Sequence, residues 1–213
     1  CQTTAELNQL IRIDKNAICK VGLQRRYWPA NNLIRRRIKQ ADTYTYHFHT
    51  GSYREGDVLT GLFIHPLDYI TFLFGPSTLR SFSVSENKKG TTIQLHLVHT
   101  NGVSGLIECS THYSWNSPRD SLHINCPRES LTIQYPLLVE GEYKPFRFNQ
   151  IPSERILNHA TKRKQYFSYK NLILPVAELN TLQLQGFHQE IETFIHIVEG
   201  EDNSSAKNDL SQL

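Results

Sequence analysis

Between residues 79 and 135 the chain turns back on itself repeatedly, with no stretch long enough for a crossover helix. Nothing else in the sequence constrains the fold as much. Residues 79–85 and 91–99 alternate apolar and polar side chains, and Asn101-Gly102 is a strong hairpin turn. Strands over 103–113, 122–126 and 131–135 follow, the last two closed by Pro127 and Pro136. Strands joined by short turns pair antiparallel with their sequence neighbours. A further strand precedes them over 43–49, where alternation is strict. Tyr44, Tyr46 and Phe48 face one way, and Thr43, Thr45, His47 and His49 the other.

Helical spacing marks the rest. From 58 to 74, Leu59, Leu62, Phe63, Pro66, Leu67, Ile70, Leu73 and Phe74 form one broad apolar face, and Gly75-Pro76 ends the run. Pro29 suits the first position of a helix with Leu33, Ile34 and Ile38 inward. The segment 187–198 is a closing helix with Ile191, Phe194, Ile195 and Val198 inward and Gly200 behind it. Near the start, Thr3 and Thr4 before Glu6, Leu7, Leu10 and Ile11 predict a capped helix, and 17–23 reads as a short buried strand of the parallel kind. The expected architecture is α+β: a large, mostly antiparallel open sheet with helices on one face, preceded by one helix and one strand of an α/β layer. Tyr44, Tyr46, Phe48, Ile93, Leu95 and Leu97 exceed what one helical layer needs, so a second subunit is expected over the open face.

With 38 % hydrophobic residues, ten Tyr and ten Phe, the chain can build a real core. Its 23 basic and 20 acidic side chains leave a net charge of +3, too small to point to nucleic acid or a membrane surface. The basic run Arg35-Arg36-Arg37 with Lys39 is expected to be a solvated helix face. The four cysteines form no C-x-x-C pair or zinc spacing and read as reduced thiols. No apolar run approaches the roughly 20 residues of a membrane span, so a cytoplasmic protein is expected. The chain starts with Cys1 and contains no Met, which predicts a piece of a longer protein.

The chemistry-bearing residues centre on the word IHPLD. His65 and Asp68 stand about 60° apart on one flank of the helix at 3.6 residues per turn. Pro66 removes a backbone donor and leaves the Leu62 carbonyl without its helical partner, so a kink there would aim His65 into a cleft. Asp68 either joins it or bonds a nearby backbone group or Arg. His47 and His49 share a strand face and could chelate a metal. No third ligand stands at a suitable spacing, so no metal is assigned. Arg26 either reaches a ligand from the strand end or forms a salt bridge. Tyr113 and Trp115 either stack on a sugar ring or pack.

The order of these elements resembles the C-terminal part of the glucose–fructose oxidoreductase / inositol dehydrogenase / MocA family. Val21-Gly22-Leu23-Gln24-Arg25-Arg26-Tyr27-Trp28-Pro29 is similar to the family word V-G-x-x-R-[YF]-x-P. The stretch 57–75 resembles its helix G-G-x-x-x-D-x-x-x-H-x-x-D-x-x-x-x-L-x-G. Tyr113 to Trp115 with 122–126 resembles S-x-x-W…L-x-I, and 190–200 resembles E-x-x-x-F-x-x-x-x-x-G. The resemblance implies that 1–23 is the end of a dinucleotide-binding (Rossmann) domain and 24–213 a substrate and oligomerisation domain. It also implies NAD or NADP as cofactor and a sugar-like or cyclitol substrate. His65 would be the catalytic acid/base, with Arg26, Tyr27 and Asp68 at the substrate and a homo-oligomer formed through the open sheet face. No G-x-G-x-x-G is present, so this chain alone should be inactive. At the family's Asp position, four residues before His65, this chain has Gly61. Either Asp68 takes over part of that role, or the substrate class has changed, or activity has been lost and the chain is a silent sensor, scaffold or dimerisation module on the same fold.

Overall fold

The computed structural model describes Glu6, Gln9 and residues 20–144, 147–155, 162–169 and 181–200. The chain divides into two compact units, Ala30–Leu174 on one hand and Cys1–Pro29 with Pro175–Leu213 on the other.

The larger unit opens with helix α1 (Asn31–Arg37) and strand β1 (Thr43–His49). A π-helical turn, Leu59–Phe63, then runs into α2 (Ile64–Phe74). Strands β2 (Ser77–Asn87), β3 (Gly90–His99), β4 (Ser104–Ser110), β5 (Arg119–Asn125), β6 (Glu129–Gln134) and β7 (Leu138–Tyr143) follow. A two-stranded ribbon, β8 (Arg147–Phe148) and β9 (Ile151–Pro152), precedes β10 (Arg163–Ser168). Eight strands form one open sheet in the order β10-β7-β6-β5-β1-β4-β3-β2. Every neighbouring pair is antiparallel except β1 and β4, which run parallel with Thr43 opposite Ser104 and His49 opposite Ser110. The meander expected from the turns is therefore split. The hairpin β2–β3 and its continuation β4 lie on one side of β1, and β5, β6, β7 and β10 on the other.

Strand β1 fixes which face is the core. Tyr44, Tyr46 and Phe48 are buried, and the register brings Ile107 and Cys109 on β4, and Leu122 and Ile124 on β5, to the same side. Helix α2 covers this face: the Tyr44 ring stacks on Phe74 at 4.8 Å, and Phe48 meets Phe63 edge-on at 6.4 Å. Each such aromatic contributes roughly 1.5–3 kcal/mol by leaving water. Ile93 and Leu97 are buried on this side too. The surplus expected to spill onto the open face is thus absorbed beneath the helices. The register instead makes that open face mostly polar, with His47, Gln94, Glu108, Ser121, His123 and Thr132 on it beside the exposed Leu106. The apolar excess appears at the edge, where Leu79, Phe82 and Val84 of β2 are about half or more exposed.

The basic run of α1 is not simply solvated. Arg37 Nη1 lies 2.9 Å from Glu129 Oε1, and its guanidinium sits 3.6 Å from the Tyr166 ring. Tyr166 also places its hydroxyl 2.9 Å from Glu129 Oε2, so one Arg ties α1 to β6 and β10. Arg35 lies over the Phe72 ring at 5.2 Å.

The smaller unit contains a 3-10 turn, Gln24–Tyr27, and helices α3 (Thr181–Gln185) and α4 (Phe187–Val198), joined by Gly186 at φ 94°. Gly186 fits because its Cα abuts the Gln24 carbonyl, where a side chain would collide. The stripe Ile191, Phe194, Ile195 and Val198, expected inward, is exposed, and Ile197 is buried in its place. No described element of this unit covers that stripe. The early helix lies largely outside the described residues, although Glu6 and Gln9 are helical; of the 17–23 strand only Lys20 to Leu23 are described, and they are not in a strand.

Gly105 on β4 lies flat beneath the Tyr44 ring, and an added Cβ would overlap the ring carbons. Tyr44 cannot step aside, since it is held by Phe74 and by His99. Gly105→Ala should therefore cost about 1–3 kcal/mol. Chemical denaturation of the variant checks this, and an unchanged midpoint would contradict the packing described.

Candidate functional site

The helix carrying His65 is pinned at both ends. At its start Asp57 accepts from the Thr60 backbone N–H and the Thr60 hydroxyl, each at 2.8 Å. Those two bonds hold the Asp57 carboxyl below the usual carboxylate range, and a cap of this kind is worth about 1 kcal/mol. At its end Gly75 takes φ 84°, and its N–H donates to Thr71 O. The turn between β3 and β4 reaches back to the same end. Asn101 Nδ2 donates to Phe74 O at 3.1 Å, and His99 Nδ1 to Gly75 O at 2.8 Å. Because a carbonyl only accepts, Nδ1 carries the proton, which leaves His99 Nε2 to accept from the Tyr44 hydroxyl at 3.0 Å. Burial raises the Tyr44 phenol and lowers the His99 imidazole, the Gly75 bond opposing the latter in part. Tyr69, also on α2, donates from its hydroxyl to Asn31 Oδ1 at 2.9 Å and so ties the helix to α1.

Within that frame His65 is the second residue of α2 and is half-buried. Pro66 beside it is buried, and the π-helical turn ends three residues earlier, at Phe63. A widened turn is the local answer to a proline that cannot donate and crowds the preceding carbonyls. Asp68 is 8 % exposed and belongs to the packed side of the helix together with Tyr69. Gly61, one turn before His65, is overlain by Tyr53. A Cβ at 61 would stand 2.5 Å from the Tyr53 hydroxyl oxygen. The space an acidic side chain would enter is thus filled by a phenol from the preceding loop, and nothing in the sequence pattern signalled it.

Arg26 and Tyr27 belong to the smaller unit, in the 3-10 turn after Leu23. Both are half-buried. Lys20 Nζ donates to the Tyr27 hydroxyl at 2.9 Å and also lies over its ring at 5.6 Å.

The face of the sheet opposite α2 holds a second cluster. His47 and His49 on β1 meet Glu108, which the parallel register sets directly beside His47. One donor atom from each of the three lies within 4.8 Å of the others. His49 Nε2 is 2.7 Å from Glu108 Oε1, and Gln94 Nε2 donates to the other carboxylate oxygen at 2.7 Å. His49 is almost fully buried because the Tyr113 ring stacks on it at 4.1 Å. Burial lowers the His49 imidazole most, with Glu108 pulling it up and His47 and Arg119 pushing it down. The bond from Gln94 does most to hold Glu108 below the ordinary carboxylate range. Two clefts open on this face. One of about 400 Å³ is lined by His47, Gln94, His96 and Glu108, the other of about 530 Å³ by His47, Arg119, His123 and Gln134. Of the two residues that either stack on a sugar or pack, Tyr113 covers His49, and Trp115 donates from Nε1 to Ser52 O at 3.0 Å.

No family model matches the sequence. No curated protein matches it either. Solved structures do match the fold. A dehydrogenase (MviM) from Clostridium difficile superposes with a TM-score of 0.71 at 18 % identity, over 94 % of this chain and 60 % of that one. A levoglucosan dehydrogenase in complex with NADH gives 0.70 at 12 % identity, over 98 % and 64 %. An oxidoreductase from Agrobacterium radiobacter, in complex with NAD+, L-tartaric acid and magnesium, gives 0.67 at 14 % identity, over 99 % and 64 %. The chain thus spans about three fifths of the length of these structures. It shares the α+β fold of these structures, and the open, mostly antiparallel sheet is borne out. No helix among the described residues is long and apolar enough to cross a membrane.

The pinned end of α2 has a pH signature. His99 has a lowered pKa when folded, so below about pH 6.5 the unfolded chain takes up the proton first. Stability should be full above that pH and fall as pH drops toward the folded value, by at most about 1.4 kcal/mol per pH unit from this group. Comparing denaturation of the native protein and His99→Gln from pH 7.5 to 5 checks it, the variant showing the shallower slope; equal slopes would refute it.

Proposed function

We propose that this chain is the substrate-binding and oligomerisation part of an NAD(P)-dependent oxidoreductase. The reaction moves a hydride between the hydroxyl-bearing carbon of a sugar-like or cyclitol substrate and the nicotinamide. What carries the reading is His65, half-buried on a helix fixed at both ends, in a fold shared with dehydrogenases. Imidazole is the side chain suited to take or give the hydroxyl proton at neutral pH. As His65 accepts that proton, the C–H electron pair leaves as hydride and the carbinol becomes a carbonyl. Nicotinamide supplies the hydride acceptor when bound. Its binding is assigned to a module elsewhere in the protein, because this sequence has no Gly-rich dinucleotide fingerprint.

In this reading residues 1–23 are the end of that module and 24–213 the substrate domain. Tyr53 supplies the hydroxyl that Gly61 cannot, which fits its position over that residue. The exposed stripe of α4 supports a covering partner, and the exposed Leu79, Phe82 and Val84 of β2 support a second copy against the sheet. The sheet face itself is mostly polar, so such a dimer would close on the β2 edge with a wet centre. A cytoplasmic location suits this chemistry.

A second reading is a silent sensor or scaffold, favoured by Gly61 in place of a carboxylate and by the burial of Asp68. The test is hydride transfer by the full-length protein across a panel of sugars and cyclitols, followed by NAD(P)H absorbance. His65→Ala should lower kcat by about 10²–10⁴-fold, and Tyr53→Phe should lower it less. Turnover unchanged by His65→Ala refutes the proposal, and a biological effect persisting without any turnover establishes the scaffold. The 213-residue chain alone should not bind NADH or NADPH at micromolar concentration, and calorimetric titration reads this directly.

A further inference from the structure

His47, His49 and Glu108 occupy the polar side of the sheet, and they present donor atoms that the protein alone leaves badly served. Nδ1 of His47 and Nδ1 of His49 are shut off from solvent without an aligned hydrogen bond. His49 Nε2 faces Glu108 Oε1 at 2.7 Å. Buried orphan nitrogens cost on the order of 1–3 kcal/mol each. A cation held between the three side chains would take one nitrogen from each imidazole and one oxygen of the carboxylate.

We propose that His47, His49 and Glu108 bind a first-row divalent transition ion of the zinc type. The donor chemistry selects the class: two imidazoles and one carboxylate suit zinc and its neighbours, not the all-oxygen shell of calcium or magnesium. Backbone geometry supplies preorganisation. His47 and His49 are two residues apart on one strand and share a face, while the parallel pairing locks Glu108 next to His47. An outer shell is already present, since Gln94 Nε2 holds the second carboxylate oxygen and the Tyr113 ring covers His49. Metal–ligand bonds of about 2.0–2.2 Å place ligand atoms roughly 3.3 Å apart. The present spread of up to 4.8 Å must therefore contract by small side-chain rotations. The cleft of about 400 Å³ lined by His47 and Glu108 gives the fourth position to water. Arg119, opposite His49 on β5, is exposed and opposes a cation, and the Glu108 charge lies nearer to offset it. This site does not depend on the reading of His65, which lies on the helix against the other face.

Calorimetry with zinc chloride on the metal-stripped chain should give one ion per chain, and cobalt chloride should give visible ligand-field absorption. Glu108→Gln and His47→Ala should weaken binding by more than about 100-fold, beyond the roughly 10–100-fold that an outer-shell change such as Gln94→Leu is worth. If the variants do not fold, the native protein still decides the matter. Zinc should shift the ring ¹⁵N resonances of His47 and His49 in a histidine-labelled sample. Unmoved resonances, or equal affinity in native and variant chains (an adventitious ion only), would overturn the site.

Discussion

One seven-residue strand organises the larger unit. β1 has neighbours on both sides, parallel to β4 and antiparallel to β5. Its strict alternation therefore assigns an identity to each face of the sheet. Three buried aromatics point to the helices, and two histidines point away. A shift of one residue in this register would bury the histidines beneath α2 and expose the tyrosines. Tyr46 shows how tight the constraint is. Its ring is buried, yet its hydroxyl reaches Asp120 Oδ1 at 2.7 Å, so only one register satisfies both ends of the side chain.

The helix with His65 inherits its position from that face. Phe63 and Phe74 set it down on β1, and the β3–β4 turn clasps its last residues through His99 and Asn101. Fixing both ends leaves one irregularity, the wide turn before Pro66, in the first part of the element. A helix of otherwise ordinary pitch would hold Gly61 and His65 in simple one-turn register. With the π turn in between, and with the Tyr53 phenol filling the space over Gly61, the environment of His65 belongs to the tertiary structure and not to the helix alone.

Local chemistry left clear marks in the sequence. Strands β1 to β6, the Asn101-Gly102 turn, the helix ending at Gly75 and the 187–198 helix lie where period and turn residues placed them, because backbone hydrogen bonding and side-chain alternation act over a few residues. Strands β7 to β10 were not marked in this way. Contacts between distant segments left no such mark. Arg37 looked like part of a solvated run until Glu129 and Tyr166 met it from strands about 90 and 130 residues further on. The apolar stripe of α4 had the right spacing for burial, yet spacing states only that a face is apolar and not what covers it.

The sequence alone settled the class of architecture, the sides of each strand and the helix that bears His65, since these follow from 2.0- and 3.6-residue periods. Only the folded chain decided that β1 runs beside β4 and in the same direction. That pairing brings Glu108 to His47 from far along the sequence, and it sends the aromatic surplus under the helices instead of onto the open face. The physical reason is that strand order and register minimise the free energy of the whole sheet, through burial and cross-strand packing summed over every strand, and no single segment encodes that sum.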